Sequence, residues 1–62
     1  MMTRAEHLAS LIANATSYEE VADECTELCE LAGMGEELES ADGEHFESVL
    51  YKAAESMGVC IS

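Results

Sequence analysis

The sequence predicts an all-α fold, a small three-helix bundle followed by a short extended tail. Apolar residues recur at helical spacing in three separate stretches. Each stretch begins at a residue typical of a helix N-cap, and a glycine follows the second and the third. Because the chain has only 62 residues and no evident domain boundary, we expect a single acidic helical domain spanning residues 1–62. A chain of this length buries roughly 60% of the surface that its unfolded form exposes, so its core must be small.

The first helix is predicted over Thr3–Asn14. Thr3 and Glu6 have the spacing of a capping box, in which each residue binds a backbone N–H of the other. Arg4 is unusual in a first turn, where a cation opposes the helix dipole, and we expect it to reach carboxylates of the second helix. The short connection at residues 14–16 predicts an antiparallel helical hairpin. The apolar side of this helix consists of Ala5, Leu8, Ala9, Leu11 and Ile12.

The second helix is predicted over Ser17–Gly33. Ser17 and Glu20 form another potential capping box, and Gly33 occupies the usual position of a C-cap glycine. One side of the helix is apolar and consists of Tyr18, Val21, Ala22, Cys25, Leu28, Cys29 and Ala32, with Leu31 at its edge. The opposite side carries carboxylates without any cation among them: Glu19, Glu20, Asp23, Glu24, Glu27 and Glu30.

The third helix is predicted over Gly43–Met57, with Asp42 as its N-cap and Gly58 after its end. Residues 36–40 fit either one helical turn with Leu38 pointing inward or a loop. The apolar tail at residues 59–62 is expected either to tuck under the core or to pair as a strand with a second copy.

Charge is the strongest global feature of the chain. Fourteen Asp and Glu residues face two basic residues, Arg4 and Lys52, which gives a formal net charge of −12. Binding to DNA, RNA or an anionic membrane requires Lys and Arg to replace counterions, so we expect neither a direct nucleic-acid partner nor a membrane partner. A surface of this sign attracts basic partners. The competing explanation of the acidic charge is that it only keeps the protein soluble or that the protein comes from a halophilic source.

The expected location follows from the cysteines and from the distribution of apolar residues. The chain has three cysteines, an odd number, and its first residues lack the uniformly apolar segment of a signal peptide. No run approaches the roughly 18 apolar residues of a membrane span. These features predict a cytoplasmic protein with free thiols, in the host cytoplasm if a phage encodes it.

The cysteines and histidines were considered as a metal site. Cys25 and Cys29 are four residues apart on the second helix, a spacing at which two side chains can ligate one metal ion. Cys60, His7 and His45 are the available further ligands. The paired Cys-x-x-Cys pattern of zinc knuckles is absent. Cys25 and Cys29 also fall on the apolar side of the helix, where a free cysteine packs as a small core residue. We therefore predict core thiols, no metal and no cofactor.

No motif in the sequence predicts catalysis. Neither histidine has a nucleophile or an acid at a diagnostic spacing, and 62 residues is short for a substrate pocket. A calcium loop centred on Gly43 fails, because its first and twelfth positions fall on Leu38 and Val49, whose side chains supply no oxygen ligand. We predict that the protein is not an enzyme.

The carboxylate side of the second helix is the predicted partner-binding surface. Side chains three or four positions apart on a helix lie about 5–6 Å from each other, so these residues form two rows, one starting at Glu20 and one at Glu19. Like charges at this spacing destabilise a helix, and no lysine is interspersed to relieve them. The predicted binding set is Glu19, Glu20, Asp23, Glu24, Glu27, Glu30, Glu36 and Glu37. If the linker and the third helix lie alongside the second helix, Glu39, Glu44 and Glu47 enlarge this surface.

In size, charge and helicity the chain resembles the small acidic inhibitors that phages and mobile elements make against restriction or CRISPR systems. This profile implies a non-enzymatic protein whose carboxylates occlude a basic, nucleic-acid-binding surface of another protein. The alternative is a structural or adaptor module or an antitoxin-like subunit, homodimeric or completed by a partner, that binds through Tyr18, Leu31, Met34, Met57 and the segment Val59–Ile61. Salt separates the two hypotheses, since charge pairing weakens with ionic strength and apolar docking does not. A third possibility is a thiol or zinc protein.

Overall fold

The structure is a computed structural model that describes residues 2–61. It is all-α, as predicted, and within those residues there is no strand. The elements are α1 (Arg4–Ala13), a 3₁₀ helix (Tyr18–Val21), α2 (Ala22–Leu31), α3 (Gly35–Glu39) and α4 (Glu44–Ser56). Helices α1, α2 and α4 are the three helices of the predicted bundle, and α3 is the helical turn that the sequence left open.

Helix α1 begins and ends close to the predicted residues. The Thr3 Oγ1 accepts a hydrogen bond from the backbone N–H of Glu6 at 3.1 Å, and Asn14 is the C-cap. Four of the five predicted inner residues are buried, but Leu11 is 41% exposed. Leu11 lies one position before the buried Ile12 and therefore about 100° around the helix from it, which places it at the edge of the apolar stripe.

The prediction of one continuous helix from Ser17 is wrong in its first turn. Tyr18–Val21 is a 3₁₀ helix, and Val21 has φ −123° and ψ 32°, which separates it from α2. Ser17 makes no side-chain capping bond. Instead, the Glu20 carboxylate accepts a hydrogen bond from the backbone N–H of Thr16 at 3.2 Å. The Tyr18 ring packs on Phe46 of α4 with 5.7 Å between centroids, and this tertiary contact overrides the local capping signal.

The C-terminal end of α2 is set by Gly33, as predicted. Its φ is +76°, a conformation that glycine adopts without a Cβ clash. Its N–H donates to the Glu30 carbonyl at 3.0 Å, and the Met34 N–H donates to the Cys29 carbonyl at 2.7 Å. This pair of bonds is a Schellman motif. Gly58, with φ +73°, ends α4 in the same way.

Helix α3 confirms the helical alternative for residues 36–40, and its Leu38 is buried. Asp42, by contrast, is not the N-cap of α4. Gly43 holds that position without a side-chain cap, and Asp42 contributes its backbone carbonyl, which accepts the His45 N–H at 3.1 Å. The reason is the φ of +57° at Gly43, a turn in front of the helix that glycine tolerates.

Helix α2 lies at the centre and contacts α1, α3 and α4. The tail tucks against the core rather than pairing as a strand: Ile61 is buried, and Val59 shares a groove with Ala9 and Ala13 of α1. Ser62 lies outside the described residues. The buried core consists of Ala5, Leu8, Ala9, Ile12, Cys25, Leu28, Cys29, Leu38, Val49, Leu50, Ala53, Ala54 and Ile61. Within residues 2–61, none of the helices combines the length and the apolar character needed to cross a bilayer.

Candidate protein-binding surface

The position of α2 decides which of its carboxylates face solvent. Cys25, Leu28 and Cys29 are fully buried, which fixes the inner side of the helix. Asp23 and Glu30 lie on the opposite side and are exposed, whereas Glu24 and Glu27 are half-buried. The predicted apolar side is confirmed for Cys25, Leu28 and Cys29, but Ala22, which was assigned to it, is exposed. The two half-buried carboxylates mark the border of the acidic side towards α1.

Arg4 of α1 reaches Glu27 of α2 and forms the one ion pair found within residues 2–61. Its Nη2 lies 2.8 Å from Oε1 of Glu27, and its Nε donates to Oε2. This bidentate hydrogen bond lowers the pKa of Glu27 and raises that of Arg4. The expectation that Arg4 reaches the second helix is therefore confirmed. Because the pair compensates its charge, Glu27 is less available to a partner than the sequence indicated.

The two predicted rows of carboxylates are interrupted at their N-terminal end. Positions along a 3₁₀ helix turn by about 120° rather than 100° per residue, so Glu19 and Glu20 do not continue the rows of α2. The Glu20 carboxylate is turned back to the Thr16 N–H. Glu19 borders a groove that is also lined by Asp42 and other residues of the loop between α3 and α4. Only the stretch from Asp23 to Glu30 keeps the predicted helical spacing.

Four carboxylates converge where α2 meets α3. We call Glu30, Glu36, Glu37 and Glu39 the acidic corner. These four side chains are exposed, and together with Gly33 and Gly35 they line one depression of about 420 Å³. None of the four forms an ion pair among the described residues. Three of them belong to the predicted binding set, and the structure brings them together.

Close approach of the two helices at the acidic corner depends on Gly35. A Cβ at this position would lie 3.0 Å from Cγ of Glu30, which is tighter than an ordinary van der Waals contact. The Gly33 turn reverses the chain just before it. Two glycines within three residues thus allow α3 to start directly beside the last turn of α2, which holds the carboxylates of both helices in one depression.

Backbone dipoles of opposite sign meet at the acidic corner, because α2 ends there and α3 begins there. The C-terminal end of a helix carries roughly half a negative charge, and α2 ends at this corner without a basic residue in its last turn. Lys52, the second cation of the chain, is exposed on α4 and makes no ion pair with any described residue. The negative end of α2 therefore adds to the charge of Glu30, whereas the positive N-terminal end of α3 partly offsets Glu36 and Glu37 in its first turn.

Two of the three cysteines are buried and one is exposed. Cys25 and Cys29 lie in the core, where burial raises the pKa of Cys25 to about 11 and raises that of Cys29 as well. Cys60 is exposed on the tail, and His7 and His45 are exposed on α1 and α4. Among the residues that the structure describes, no three His, Cys, Asp or Glu side chains are arranged to hold a metal ion.

The apolar residues assigned to the alternative hypothesis do not form an exposed patch. Tyr18, Met34, Met57 and Val59 are partly buried against the core, and Ile61 belongs to it. The exposed members of this set are Leu31, at 47%, and Cys60. Most of the apolar surface that an adaptor would use is therefore already occupied within the fold.

Sequence reasoning underrated Glu39, which it placed outside the main binding set. Its spacing of three residues from Glu36 is the signal that puts both on one side of a helical turn.

Comparisons of the chain with protein-family models, with curated proteins and with solved structures each found no match.

Proposed function

We propose that this protein is a non-enzymatic inhibitor that places its acidic corner on a basic, nucleic-acid-binding surface of another protein. The observation that carries the proposal is the separation of charges on α2. Its α1 side is compensated by Arg4, whereas the acidic corner has no cation among the described residues. Uncompensated carboxylates cost stability, so their concentration in one exposed depression favours a role outside the fold.

The chemistry of the depression suits arginine-rich and lysine-rich surfaces. Carboxylates and phosphates are both bound by Arg in bidentate geometry and by Lys as a point charge. Four carboxylates in one concave area offer several such acceptors together. A protein channel that binds phosphates presents the complementary groups. Occupying that channel would prevent nucleic acid from entering it. We propose that the protein acts in this way as a phage-encoded inhibitor of the anti-restriction or anti-CRISPR type, in the host cytoplasm.

The outer side of α2 enlarges the contact. Asp23 is exposed on the same side of the helix as Glu30, seven positions along, and so lies about 10 Å away along the helix axis. The acidic surface therefore extends from the corner along α2. Glu19 and Glu20 lie beyond it and contribute less, because they belong to the 3₁₀ segment.

Two matched variants test the proposal. The corner variant carries Glu30→Gln, Glu36→Gln, Glu37→Gln and Glu39→Gln. The control variant carries Glu6→Gln, Glu44→Gln, Glu47→Gln and Glu55→Gln. All four are exposed and none lines the depression of the corner, so Glu44 and Glu47 do not enlarge it as the sequence suggested. Each variant removes four of the negative charges that make up the formal −12. Both sets include carboxylates in the first turn of a helix, so their effects on helix dipoles are similar.

Each tagged protein is incubated with host lysate, washed at low and at high salt, and the bound proteins are identified by mass spectrometry. The proposal predicts that the wild-type protein and the control variant retain a nucleic-acid-binding protein, that added DNA or RNA releases it, and that high salt removes it. The corner variant should retain much less. A partner that stays bound through high salt and binds all three proteins equally would contradict the proposal and favour an apolar adaptor.

A further inference from the structure

A second concave surface, which we call the aromatic groove, lies at the opposite end of α2 from the acidic corner. Its volume is about 380 Å³, and the residues that line it include Tyr18, Glu19, Ala22, Asp42 and Phe46. The 3₁₀ helix, the first turn of α2, the loop between α3 and α4 and the first turn of α4 all contribute to it. None of its residues lines the depression of the acidic corner, so the two surfaces are separate.

Two aromatic rings form the apolar part of the groove. The ring centroids of Tyr18 and Phe46 are 5.7 Å apart, and the ring planes are inclined by 49°. Both side chains are only partly buried against the core, so part of each ring is accessible from the groove. The face of an aromatic ring carries the negative part of its quadrupole. A cation within about 6 Å of a ring centroid is therefore attracted to it.

Two carboxylates accompany these rings in the groove. Glu19 belongs to the 3₁₀ helix and Asp42 to the loop before α4, and both are exposed. Neither forms an ion pair with another described residue. The positive end of the α4 dipole lies close to Asp42, but Glu44 and Glu47 in the first turn of that helix offset it. The groove therefore combines accessible aromatic rings with uncompensated negative charge.

This combination fits one kind of occupant best. A purely apolar group would displace water from the carboxylates without replacing their hydrogen bonds, and an anion would be repelled by a chain with a formal net charge of −12. Arginine has an apolar stem and a planar cation that stacks on aromatic rings and binds carboxylates in bidentate geometry, whereas the lysine ammonium is compact and strongly hydrated. We propose that the aromatic groove is the docking site for an arginine side chain of a basic partner protein.

The inference rests on the proposed function, because the arginine belongs to the same basic surface that meets the acidic corner. Ala22 in the groove and Glu30 at the corner are eight positions apart on α2, which places them about 12 Å apart along the helix axis and about 80° apart around it. One extended surface can therefore reach both. The corner attracts several positive charges without selecting among them, whereas the groove admits one side chain and so aligns the partner on α2.

Titration of the isolated chain with short peptides tests the groove without any partner. The probe is acetyl-Gly-Arg-Gly-amide. One control peptide replaces arginine by citrulline, which has a similar shape but no charge, and another replaces it by lysine. Binding is followed by NMR from the backbone amides and from the ring signals of Tyr18 and Phe46. The titrations are made at about 150 mM NaCl, where attraction over distances beyond about 8 Å is largely screened.

Two variants localise the binding. The groove variant carries Glu19→Gln and Asp42→Asn, which remove both carboxylates of the groove and leave the rings in place. The matched variant carries Glu36→Gln and Glu39→Gln, which remove two carboxylates of the acidic corner. All four positions are exposed, and surface substitutions of this kind usually change stability little.

The arginine peptide should shift the ring signals of Tyr18 and Phe46 saturably and bind several-fold more tightly than the lysine peptide, while the citrulline peptide should cause almost no shift. The groove variant should bind the arginine peptide about fivefold more weakly, because exposed ion pairs contribute modestly, and the matched variant should bind it as the wild-type chain does. Shifts centred on the acidic corner would overturn the inference, as would equal binding of the three peptides or unchanged binding by the groove variant.

These outcomes are separate from those of the lysate experiment. Absence of an arginine site in the groove leaves binding by the acidic corner standing, because the corner variant tests that function with the partner itself. Conversely, normal capture of the partner by the corner variant would contradict the proposed function, even if the isolated chain bound the arginine peptide in the groove.

Discussion

Helix α2 meets α1 and α3 in different ways. On the α1 side, Arg4 pairs with Glu27 and four buried side chains of α1 enter the core. On the α3 side, one buried side chain, Leu38, makes the contact, and four carboxylates share a depression without a cation among the described residues. One helix thus has a side whose charge is compensated and a side whose charge is not, and the second side meets a neighbour with a single buried side chain. This difference supports the proposal that the uncompensated side binds a partner.

Truncating a leucine on each side should produce the largest difference. Leu8 is fully buried in α1, and Leu8→Ala should cost about 2–5 kcal/mol, a large part of the stability of a domain this small. Leu38→Ala should instead release α3 and leave the rest folded, because Leu38 is the one buried residue of that helix. Urea denaturation followed by circular dichroism measures the first effect, and exchange of the α3 amides measures the second.

Leu31→Ala is the control for these truncations, since Leu31 is 47% exposed and surface substitutions usually change stability by within about 0.5 kcal/mol. If Leu38→Ala unfolded the whole chain as Leu8→Ala does, the two sides of α2 would be equivalent and the comparison would fail.

Changing the turn glycine tests the connection between α2 and α3. Gly33 has φ +76°, and a Cβ there would meet no atom within 4 Å, so the effect of Gly33→Ala comes from the backbone alone. Holding alanine in the left-handed conformation costs roughly 1–2 kcal/mol. We expect a lower urea midpoint together with faster exchange in α3.

Gly58→Ala is the matched control for Gly33→Ala, because Gly58 has φ +73° and the same free space. It should loosen the tail after α4 and leave exchange in α3 unchanged. Equal exchange in the two variants would show that α3 does not depend on the Gly33 turn.

The two buried thiols differ in their nearness to α3. Burial raises the pKa of Cys29, and the nearby Glu37 of α3 raises it further, so Cys29 lies under the acidic corner. Cys25 lies one turn away, and burial raises its pKa to about 11. We expect iodoacetamide to label the exposed Cys60 first, then Cys29, and Cys25 last, because opening of α3 uncovers Cys29. Mass spectrometry of the labelled chain measures the order.

Labelling of Cys25 before Cys29 would contradict local opening at α3. Labelling in urea is the control, since all three thiols should then react alike.

Removing Arg4 should have a small effect on stability. Arg4→Gln deletes the ion pair and leaves the carboxylates of α2 unrelieved, so a small decrease of the urea midpoint is expected at neutral pH. The folded state holds the pKa of Glu27 below its ordinary value of 4.5. The pair therefore stabilises the fold above that value, and its contribution is lost as the pH falls through the lowered pKa. The difference between wild-type and variant midpoints should disappear in acid.

Lys52→Gln changes the net charge by the same amount and removes a cation without an ion pair among the described residues. Its midpoint should therefore decrease less than that of Arg4→Gln at neutral pH. Equal decreases would mean that net charge, rather than the Arg4–Glu27 contact, accounts for the effect.

The sequence predicted the features that depend on local signals. Thr3 caps α1, and Gly33 and Gly58 end α2 and α4, because each choice is decided within a few residues. The apolar periodicity identified most of the core, including Cys25 and Cys29. The acidic side of α2 followed from the same periodicity.

Features that depend on tertiary contacts were harder to predict. The 3₁₀ helix at Tyr18 accompanies packing against Phe46, which lies 28 positions further along the chain. The acidic corner depends on how α3 turns back at Gly33 and Gly35. Local spacing could not decide between a helix and a loop there, and so could not show that Glu39 joins Glu30.

The most direct test of the central claim is displacement of nucleic acid. Once a basic partner has been identified, it is loaded with a fluorescent oligonucleotide of the type that it binds, and each protein is titrated into this complex while anisotropy is recorded. The account predicts that the wild-type protein and the control variant release the oligonucleotide at similar concentrations, and that the corner variant requires a much higher one. Release by the corner variant at the wild-type concentration would contradict the assignment of binding to the acidic corner.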